Sequence, residues 1–105
     1  MRDNRKGGAL TEVTFLVLLS LYTPKHGYAI MQFLEEKTQG RLTLGAGTLY
    51  GALSALEDKG LIAPCGKSND RKKEYCITPQ GKALCAQELQ RLHQVTQIAQ
   101  EIMEG

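Results

Sequence analysis

Three features of the 105-residue chain predict a mainly α-helical fold with a small antiparallel β-wing and a long C-terminal helix. A short amphipathic helix over residues 46–59 ends at Gly60 and leads into an apolar stretch. A basic turn, residues 67–73, separates that stretch from a second one. Residues 79–103 then repeat apolar side chains every three or four positions. This order is typical of a winged helix-turn-helix followed by one long helix.

Composition narrows the class of protein. A hydrophobic content of 42% and a charged content of 23% are ordinary for a folded globular protein and exclude wholesale disorder. The net charge of +2 is too small to identify a partner, so the positions of the charges matter more. The longest apolar run, residues 15–19, is far shorter than the ~20 residues of a membrane span. Residues 1–8 are charged and lack the pattern of a secretory signal peptide.

The three cysteines also bear on location and chemistry. Their number is odd and no CxxC pair occurs, which argues against a zinc site or a disulfide scaffold and favours a reducing cytoplasm. Cys65 and Cys76 flank the basic turn and are expected to face each other, either as a redox pair or as two small apolar residues. Cys85 is expected at a subunit interface. His26 and His93 have no neighbours at ligand spacing, so no metal is expected.

The chain divides into three predicted regions. Residues 1–10 are expected to form a flexible basic arm, residues 11–78 the winged helix-turn-helix, and residues 79–105 a dimerisation helix. The first helix is predicted from Thr11 or Glu12 to Tyr22, because Thr11 is a good N-cap and a Thr-Pro pair follows. It is apolar nearly all round, which indicates that a second subunit covers part of it.

The second helix is predicted over residues 27–38 and is ended by Gly40. Its inward face is expected to carry Tyr28, Ile30 or Met31, and Leu34. Residues 41–44 alternate polar and apolar side chains, as a short strand does. This predicts a third strand that pairs with the wing.

The recognition helix, residues 46–59, carries Leu49, Leu53 and Leu56 at the spacing of one buried stripe. Its opposite face carries Gly47, Tyr50, Gly51, Ser54 and Asp58, with Thr48 at the edge. The wing is predicted over residues 61–77, with turn-forming residues at its tip. We expect the helix to enter the DNA major groove and the wing to contact the backbone or the minor groove.

The last helix is predicted from Pro79 to Met103, after the N-cap Thr78. About 25 residues give a rod of roughly 37 Å, longer than the ~25–30 Å body that the other residues form. Most of it must overhang, so we expect a homodimer; the alternative is a helix that bends back onto its own domain. The predicted interface residues are Phe15, Leu16, Leu19, Leu84, Cys85, Leu89, Leu92, Val95, Ala99, Ile102 and Met103.

Polar, basic and glycine residues near these elements are the candidate DNA contacts. They are Lys25, His26, Tyr28, Arg41, Gly47, Thr48, Tyr50, Ser54, Lys67, Arg71, Lys72 and Lys73. Other interpretations stay open: Tyr50 beside the buried leucines, Tyr28 in the core, and the wing cations as solvated surface.

Enzymatic signatures are absent from the sequence. It contains no GxxxxGK loop, HExxH or GxSxG motif, so neither catalysis nor a cofactor is expected. The alternative to DNA binding is an adaptor that uses the same fold to bind another protein, because fold does not determine function.

Several segments, in this order and spacing, resemble the PadR-type transcriptional regulators. They are residues 24–30 (PKHGYAI), 47–50 (GTLY), 60–62 (GLI), 71–75 (RKKEY) and 77–81 (ITPQG). The resemblance extends over essentially the whole chain. It implies a homodimeric winged-helix repressor of the short subgroup, with a single C-terminal dimerisation helix. Because such a dimer has two-fold symmetry, we expect it to bind double-stranded DNA at a pseudo-palindromic operator. It also implies that small aromatic or drug-like effectors release some members from DNA.

The chain departs from the family's pattern in two places. Gly51 stands where proline is frequent, and Ser54-Ala55 stand where basic residues are frequent. The exposed face of the recognition helix therefore lacks an arginine or lysine for bidentate contact with guanine. We expect readout to depend on thymine methyl groups, single hydrogen bonds and DNA shape.

Overall fold

The computed structural model describes residues 9–66 and 73–105. In these ranges the chain forms helices α1 (Glu12–Ser20), α2 (Gly27–Lys37), α3 (Ala46–Asp58) and α4 (Pro79–Glu104), and strands β1 (Lys25–His26), β2 (Ile62–Cys65) and β3 (Glu74–Ile77). The mainly α fold with a small wing and a long final helix is confirmed. The arm, and the wing tip at residues 67–72, lie outside the described residues.

Helix α1 begins as its sequence predicts. The Thr11 side chain caps it, accepting a hydrogen bond of 3.1 Å from the backbone N–H of Thr14. The helix ends at Ser20, two residues before the predicted end. There the Ser20 hydroxyl donates to the Val17 carbonyl at 2.7 Å, and the Leu21 N–H donates to the Leu18 carbonyl, which tightens the last turn.

The third strand of the sheet is not the predicted one. The order is β1-β3-β2, and β1 pairs antiparallel with β3 so that Lys25 lies opposite Tyr75. The prediction of a strand over residues 41–44 is wrong. Those residues follow a turn in which the Gly40 N–H donates a hydrogen bond to the Glu35 carbonyl. The Leu42 N–H donates to the Thr38 hydroxyl oxygen. The N–H groups of Arg41 and Leu42 are both bonded within this turn, so neither is available to a neighbouring strand.

Helix α2 buries Ile30 and Leu34, as predicted, together with Gly27 at the start of the same stripe. The prediction that Tyr28 faces inward is wrong, because its side chain is 61% exposed. Residues 27, 30 and 34 follow the three-and-four spacing of one helix face, and Tyr28 lies about 100° away from it.

The core lies between α1, α2, α3 and the inner face of the sheet. Its fully buried members include Leu18, Leu21, Ile30, Leu34, Leu49, Leu53 and Ile62. Helix α1 contributes Val17 and Leu18, whereas Phe15, Leu16 and Leu19 are only partly covered. The helix that the sequence marks as apolar on all sides therefore keeps apolar surface outside the protomer core.

The start of α4 is fixed closely against the wing. The Thr78 hydroxyl accepts from the Gly81 N–H at 3.1 Å and donates to the Gly60 carbonyl at 2.8 Å. A side chain at Gly81 would overlap the Leu61 carbonyl oxygen and approach Ile77 Cγ1 to 2.6 Å. This contact explains the glycine two residues after the proline at the helix start.

Helix α4 extends well beyond the body of the domain. Its 26 residues account for the long dimension of a molecule that measures 55 × 28 × 26 Å. The overhang is confirmed, and the alternative of a helix that bends back onto its own domain is wrong for this chain. None of the helices in the described ranges is both long and apolar enough to cross a membrane.

Candidate nucleic-acid interface

Helix α3 separates an apolar face from a polar one. Leu49, Leu53 and Leu56 are buried, as the spacing predicts. The opposite face is exposed along the whole helix and consists of Gly47, Thr48, Tyr50, Gly51, Ser54 and Asp58. The candidate reading residues Gly47, Thr48, Tyr50 and Ser54 therefore lie on one solvent-facing surface, as reading a DNA groove requires.

The N-terminus of α3 is open. Its N-cap is Gly45, and among the described residues no side chain caps the first turn. Side chains at Gly45 or Gly47 would meet nothing within 4 Å in the described part of the chain. The first backbone N–H groups of a helix have no partner within it and carry partial positive charge. This end of α3 is suited to a phosphate oxygen.

Tyr50 has both a packing contact and an exposed surface. Its ring lies across the start of α2, where a Cβ on Gly27 would overlap the phenol oxygen. Its side chain is nevertheless 49% exposed. Tyr50 does pack, as one interpretation of the sequence has it, but its contact is with Gly27.

The three candidate DNA contacts near the start of α2 differ in their contacts within the chain and in their exposure. Lys25 donates from Nζ to the Ser20 carbonyl at 2.7 Å and lies 5.1 Å from the centre of the Phe33 ring. Its ammonium group is thus directed to the C-terminal end of α1. His26 is the N-cap of α2 and is half-buried, and Tyr28 is exposed. Of these three candidates, Tyr28 presents the most surface to a ligand.

Arg41 is held by an acidic residue of α1. Its guanidinium donates to both carboxylate oxygens of Glu12, with one hydrogen bond of 3.0 Å. This hydrogen bond lowers the pKa of Glu12 and raises that of Arg41. Both side chains remain exposed, at 50% and 60%, so a phosphate can compete with Glu12 for Arg41.

The cations of the wing are described only in part. Lys67, Arg71 and Lys72 lie outside the described residues, and their contact with DNA stays a prediction. Lys73 is exposed just before β3, with Nζ 5.5 Å from the centre of the Tyr75 ring. Pro64 lies on β2, which is an edge strand of the sheet. A proline, which has no backbone N–H to donate, is tolerated at such an edge.

The predicted interface residues fall into two groups. Cys85 is 3% exposed within its own protomer and is in contact with Tyr22, so it has almost no surface left for a partner. Leu84 also packs against the protomer core. Further along α4 the apolar side chains are exposed, and Leu89, Val95, Ile102 and Met103 show between 47% and 82% of their surface. Leu92 and Ala99 are intermediate.

Two features of α4 were missed by the sequence analysis. Ile98 is 52% exposed and extends the apolar stripe. Glu88 is only 2% exposed and accepts from Arg91 Nε at 2.9 Å, and this hydrogen bond lowers its pKa. The sequence does contain a signal for the burial of Glu88. It lies four residues from both Leu84 and Leu92 and therefore on the same helix face as these leucines. Within residues 9–66 and 73–105 no three metal-binding side chains come together.

A family model for PadR-like transcriptional regulators matches residues 15–87. This chain belongs to the PadR-like family. The match includes most of α1, the recognition helix, both wing strands and the first third of α4, so it contains all the candidate DNA contacts described above. The PadR-like proteins are transcriptional regulators and not enzymes, which confirms the expectation from the absent catalytic motifs.

Two relatives are similar to this chain over most of its length. The PadR-like chain is 36% identical over 95 residues to an uncharacterized 37.1 kDa protein in transposon Tn4556 of Streptomyces fradiae, covering 90% of this chain but 26% of that one. It is 30% identical to the Lysinibacillus sphaericus protein X, covering 88% and 87% of the two chains. It thus spans about a quarter of the first relative and most of the second.

A solved structure agrees with the fold. The crystal structure of a PadR family transcriptional regulator from Eggerthella lenta superposes with a TM-score of 0.75 at 26% identity. The superposition covers 88% of this chain and 81% of that one.

Proposed function

We propose that this PadR-like regulator is a repressor that binds a pseudo-palindromic DNA operator as a homodimer. The observation that carries the proposal is the division of α3, where three buried leucines anchor a helix whose opposite face is polar and exposed. A helix held in this way can enter the major groove without loss of core packing.

Dimerisation is supported by the overhang of α4. Five of its apolar side chains are exposed beyond the protomer body: Leu89, Val95, Ile98, Ile102 and Met103. Burial of each such side chain contributes roughly 1.5–3 kcal/mol of stabilisation. An isolated protomer lacks this contribution, because these side chains stay in contact with water. A second copy of the helix, together with the partly covered residues Phe15, Leu16 and Leu19 of α1, supplies a matching apolar surface.

Sequence reading by α3 is expected to be modest. Its exposed face carries no arginine or lysine, and the available contacts are the Thr48 methyl and hydroxyl groups, the Tyr50 phenol and the Ser54 hydroxyl. Such groups make single hydrogen bonds or contact a thymine methyl. Affinity therefore depends mainly on phosphate contacts at the open end of α3 and on the wing cations.

Release by a small-molecule effector is part of the proposal. A groove of about 480 Å³ lies along α4 and includes Gln94 and Gln97. Its other lining residues, Gln87, Gln90, Arg91 and His93, belong to the same helix. One helix forms only one wall of a site, so this groove by itself does not enclose an effector.

A mobility-shift titration tests DNA binding directly. The probe is the DNA upstream of the chain's own coding region, and random duplex DNA is the control. If a dimer neutralises about 6–10 phosphates, affinity falls by roughly 10³–10⁵ between about 50 and 200 mM salt. No binding at the lower salt concentration would contradict the proposal and favour an adaptor that recognises another protein.

Tyr50→Phe tests whether α3 reads bases. The substitution removes the phenol oxygen and keeps the ring over Gly27, so the fold is unaffected while one hydrogen bond to DNA is lost. We expect the preference for operator over random DNA to fall by roughly 5–10-fold, the effect of about 1 kcal/mol. Tyr28→Phe is the matched control, since it should weaken both DNAs equally. An unchanged preference in Tyr50→Phe would assign Tyr50 to packing alone.

A further inference from the structure

Two cysteines lie on the outer face of the wing sheet. Cys65 pairs with Glu74, and Cys76 pairs with Ala63. Because paired residues share a face and side chains alternate along each strand, all four side chains point to the same side. Cys65 and Cys76 are therefore diagonal neighbours across the strand pair. Both are half-buried, so a small reagent can reach them.

The two thiols are close enough to interact. Burial, together with the neighbouring Cys76 thiol and the Glu74 carboxylate, raises the pKa of Cys65 to about 11. Cys65 is therefore protonated at neutral pH and reacts slowly by itself.

We propose that Cys65 and Cys76 are a redox-sensitive pair whose disulfide changes the shape of the wing and weakens DNA binding. This inference rests on the proposed function, because the change in affinity requires a protein that binds DNA. The site differs from the reading helix: it lies at the base of the hairpin, and neither cysteine is a candidate DNA contact.

The chemistry balances with a low-molecular-weight disulfide as the oxidant. The thiolate of one cysteine attacks the oxidant, forming a mixed disulfide and releasing one thiol. The second cysteine then attacks the protein sulfur of the mixed disulfide, forms the Cys65–Cys76 bond and releases the second thiol. The two protein thiols lose two electrons and two protons, and the oxidant's disulfide gains them.

Disulfide formation has to move the strands. Diagonal residues in an antiparallel pair have Cα atoms about 7–8 Å apart, whereas disulfides join Cα atoms about 4.4–6.8 Å apart. The bond therefore draws the two strands together along one diagonal, which increases the twist of the hairpin that joins them. The same misfit makes the bond easily reduced, so the modification is reversible.

Equilibration of the full chain in glutathione redox buffers tests the inference. The readouts are intact mass, which falls by two hydrogens on disulfide formation, and mapping of the remaining thiols by alkylation under denaturing conditions. We expect a Cys65–Cys76 disulfide, with Cys85 remaining a thiol because it is buried in the protomer core. Cys65→Ser and Cys76→Ser are the matched controls and should form no intramolecular disulfide.

The second measurement is DNA binding by reduced and oxidised protein. Loss of one lysine or arginine contact in each wing reduces the salt slope by about one per contact. We therefore expect the slope to fall by about two for an oxidised dimer, affinity to fall roughly tenfold or more, and both to recover on reduction. The two serine variants should bind DNA equally well in all buffers.

The outcomes separate this inference from the proposed function. If the reduced protein does not bind DNA, the proposed function fails whatever the cysteines do. If the reduced protein binds, the inference is overturned when no Cys65–Cys76 disulfide forms, or when it forms and leaves the affinity and salt slope unchanged.

Discussion

At the scale of single residues, Tyr50 on the exposed face of α3 packs against Gly27 at the start of α2. The phenol ring crosses the start of α2 at a position where only glycine leaves room. The angle between the two helices of the helix-turn-helix therefore depends on a residue whose other side faces solvent. Tyr50 therefore contributes to the position of α3 relative to α2.

Gly27→Ala is expected to destabilise the protein by about 1–3 kcal/mol, since the new methyl group overlaps the Tyr50 phenol and forces the ring to move. Gly51→Ala is the matched control, because Gly51 lies within α3 with open space around its Cα. Alanine there should stabilise by roughly 0.5–1 kcal/mol through its higher helix propensity.

Urea unfolding of both variants checks this prediction. The double variant Gly27→Ala with Tyr50→Ala identifies the cause, because removal of the ring should relieve most of the alanine's effect. If Gly27→Ala is as stable as the wild type, the contact between α2 and α3 is not as close as the structure shows.

At single residues the structure also adds contacts that the sequence did not predict. The cations Lys25 and Arg41 qualify as DNA contacts by type and position, but the first binds the Ser20 carbonyl and the second binds Glu12. Both partners belong to α1, which lies distant in the chain from Arg41. Such competition between an internal partner and a ligand is a property of the tertiary structure and has no signal in spacing or composition.

At the scale of secondary structure, the helices were predictable and the shortest strand was not. Leucine stripes located α3, and the cap residues Thr11 and Thr78 marked two helix starts that the structure confirms. Strand β1 has only two residues, too few to show alternation. It is extended because β3 pairs with it, whereas residues 41–44 show alternation and have no such partner.

Helix α4 contains an ion pair between the buried Glu88 and Arg91, whose side chain is 28% exposed, and this pair gives a pH prediction. The Arg91 hydrogen bond holds the pKa of Glu88 below its usual value of about 4.3. The native protein thus binds fewer protons at Glu88 than the unfolded chain does. The resulting stabilisation is present above that usual value and is lost as the pH falls through the lower, folded-state pKa.

Arg91→Met should leave the buried Glu88 carboxylate without its partner, at a cost of about 1–3 kcal/mol at neutral pH. The variant should also lose less stability on acidification than the wild type, because its Glu88 no longer has a depressed pKa. Unfolding free energies measured at about pH 6 and pH 3 check both statements.

Arg41→Met is the control for this measurement. It breaks an ion pair with the same atoms but with both side chains exposed, so its effect on stability should be clearly smaller. Equal effects of the two substitutions would show that burial of Glu88 contributes nothing.

At the scale of the whole molecule, the apolar face of α4 has no counterpart within the described residues of its own chain. Val95 lies in the middle of the overhanging part and is 47% exposed. The predicted stripe and the observed one agree closely, apart from Ile98 and the internal burial of Cys85. The sequence showed this because a long helix with three-and-four spacing cannot fold onto a domain shorter than itself.

Val95→Glu is expected to weaken dimerisation by about 100-fold or more. Two valines lost from a symmetric interface remove roughly 3 kcal/mol, and the added carboxylates oppose association further. Sedimentation velocity across a range of concentrations measures the effect. Gln97→Glu adds the same charge on the polar side of α4 and should leave the association unchanged. A wild-type chain that sediments as a monomer at micromolar concentration would contradict the dimer.

The firm seating of α4 on Gly81 has a mechanical consequence. A rigid arm about 39 Å long turns a tilt of ~10° at its root into a displacement of ~7 Å at its far end. In the proposed homodimer, a small change of angle where the two α4 helices meet therefore changes the distance between the two α3 helices. In the proposed complex, the spacing of the two α3 helices on the duplex then depends on the angle between α4 and its own domain.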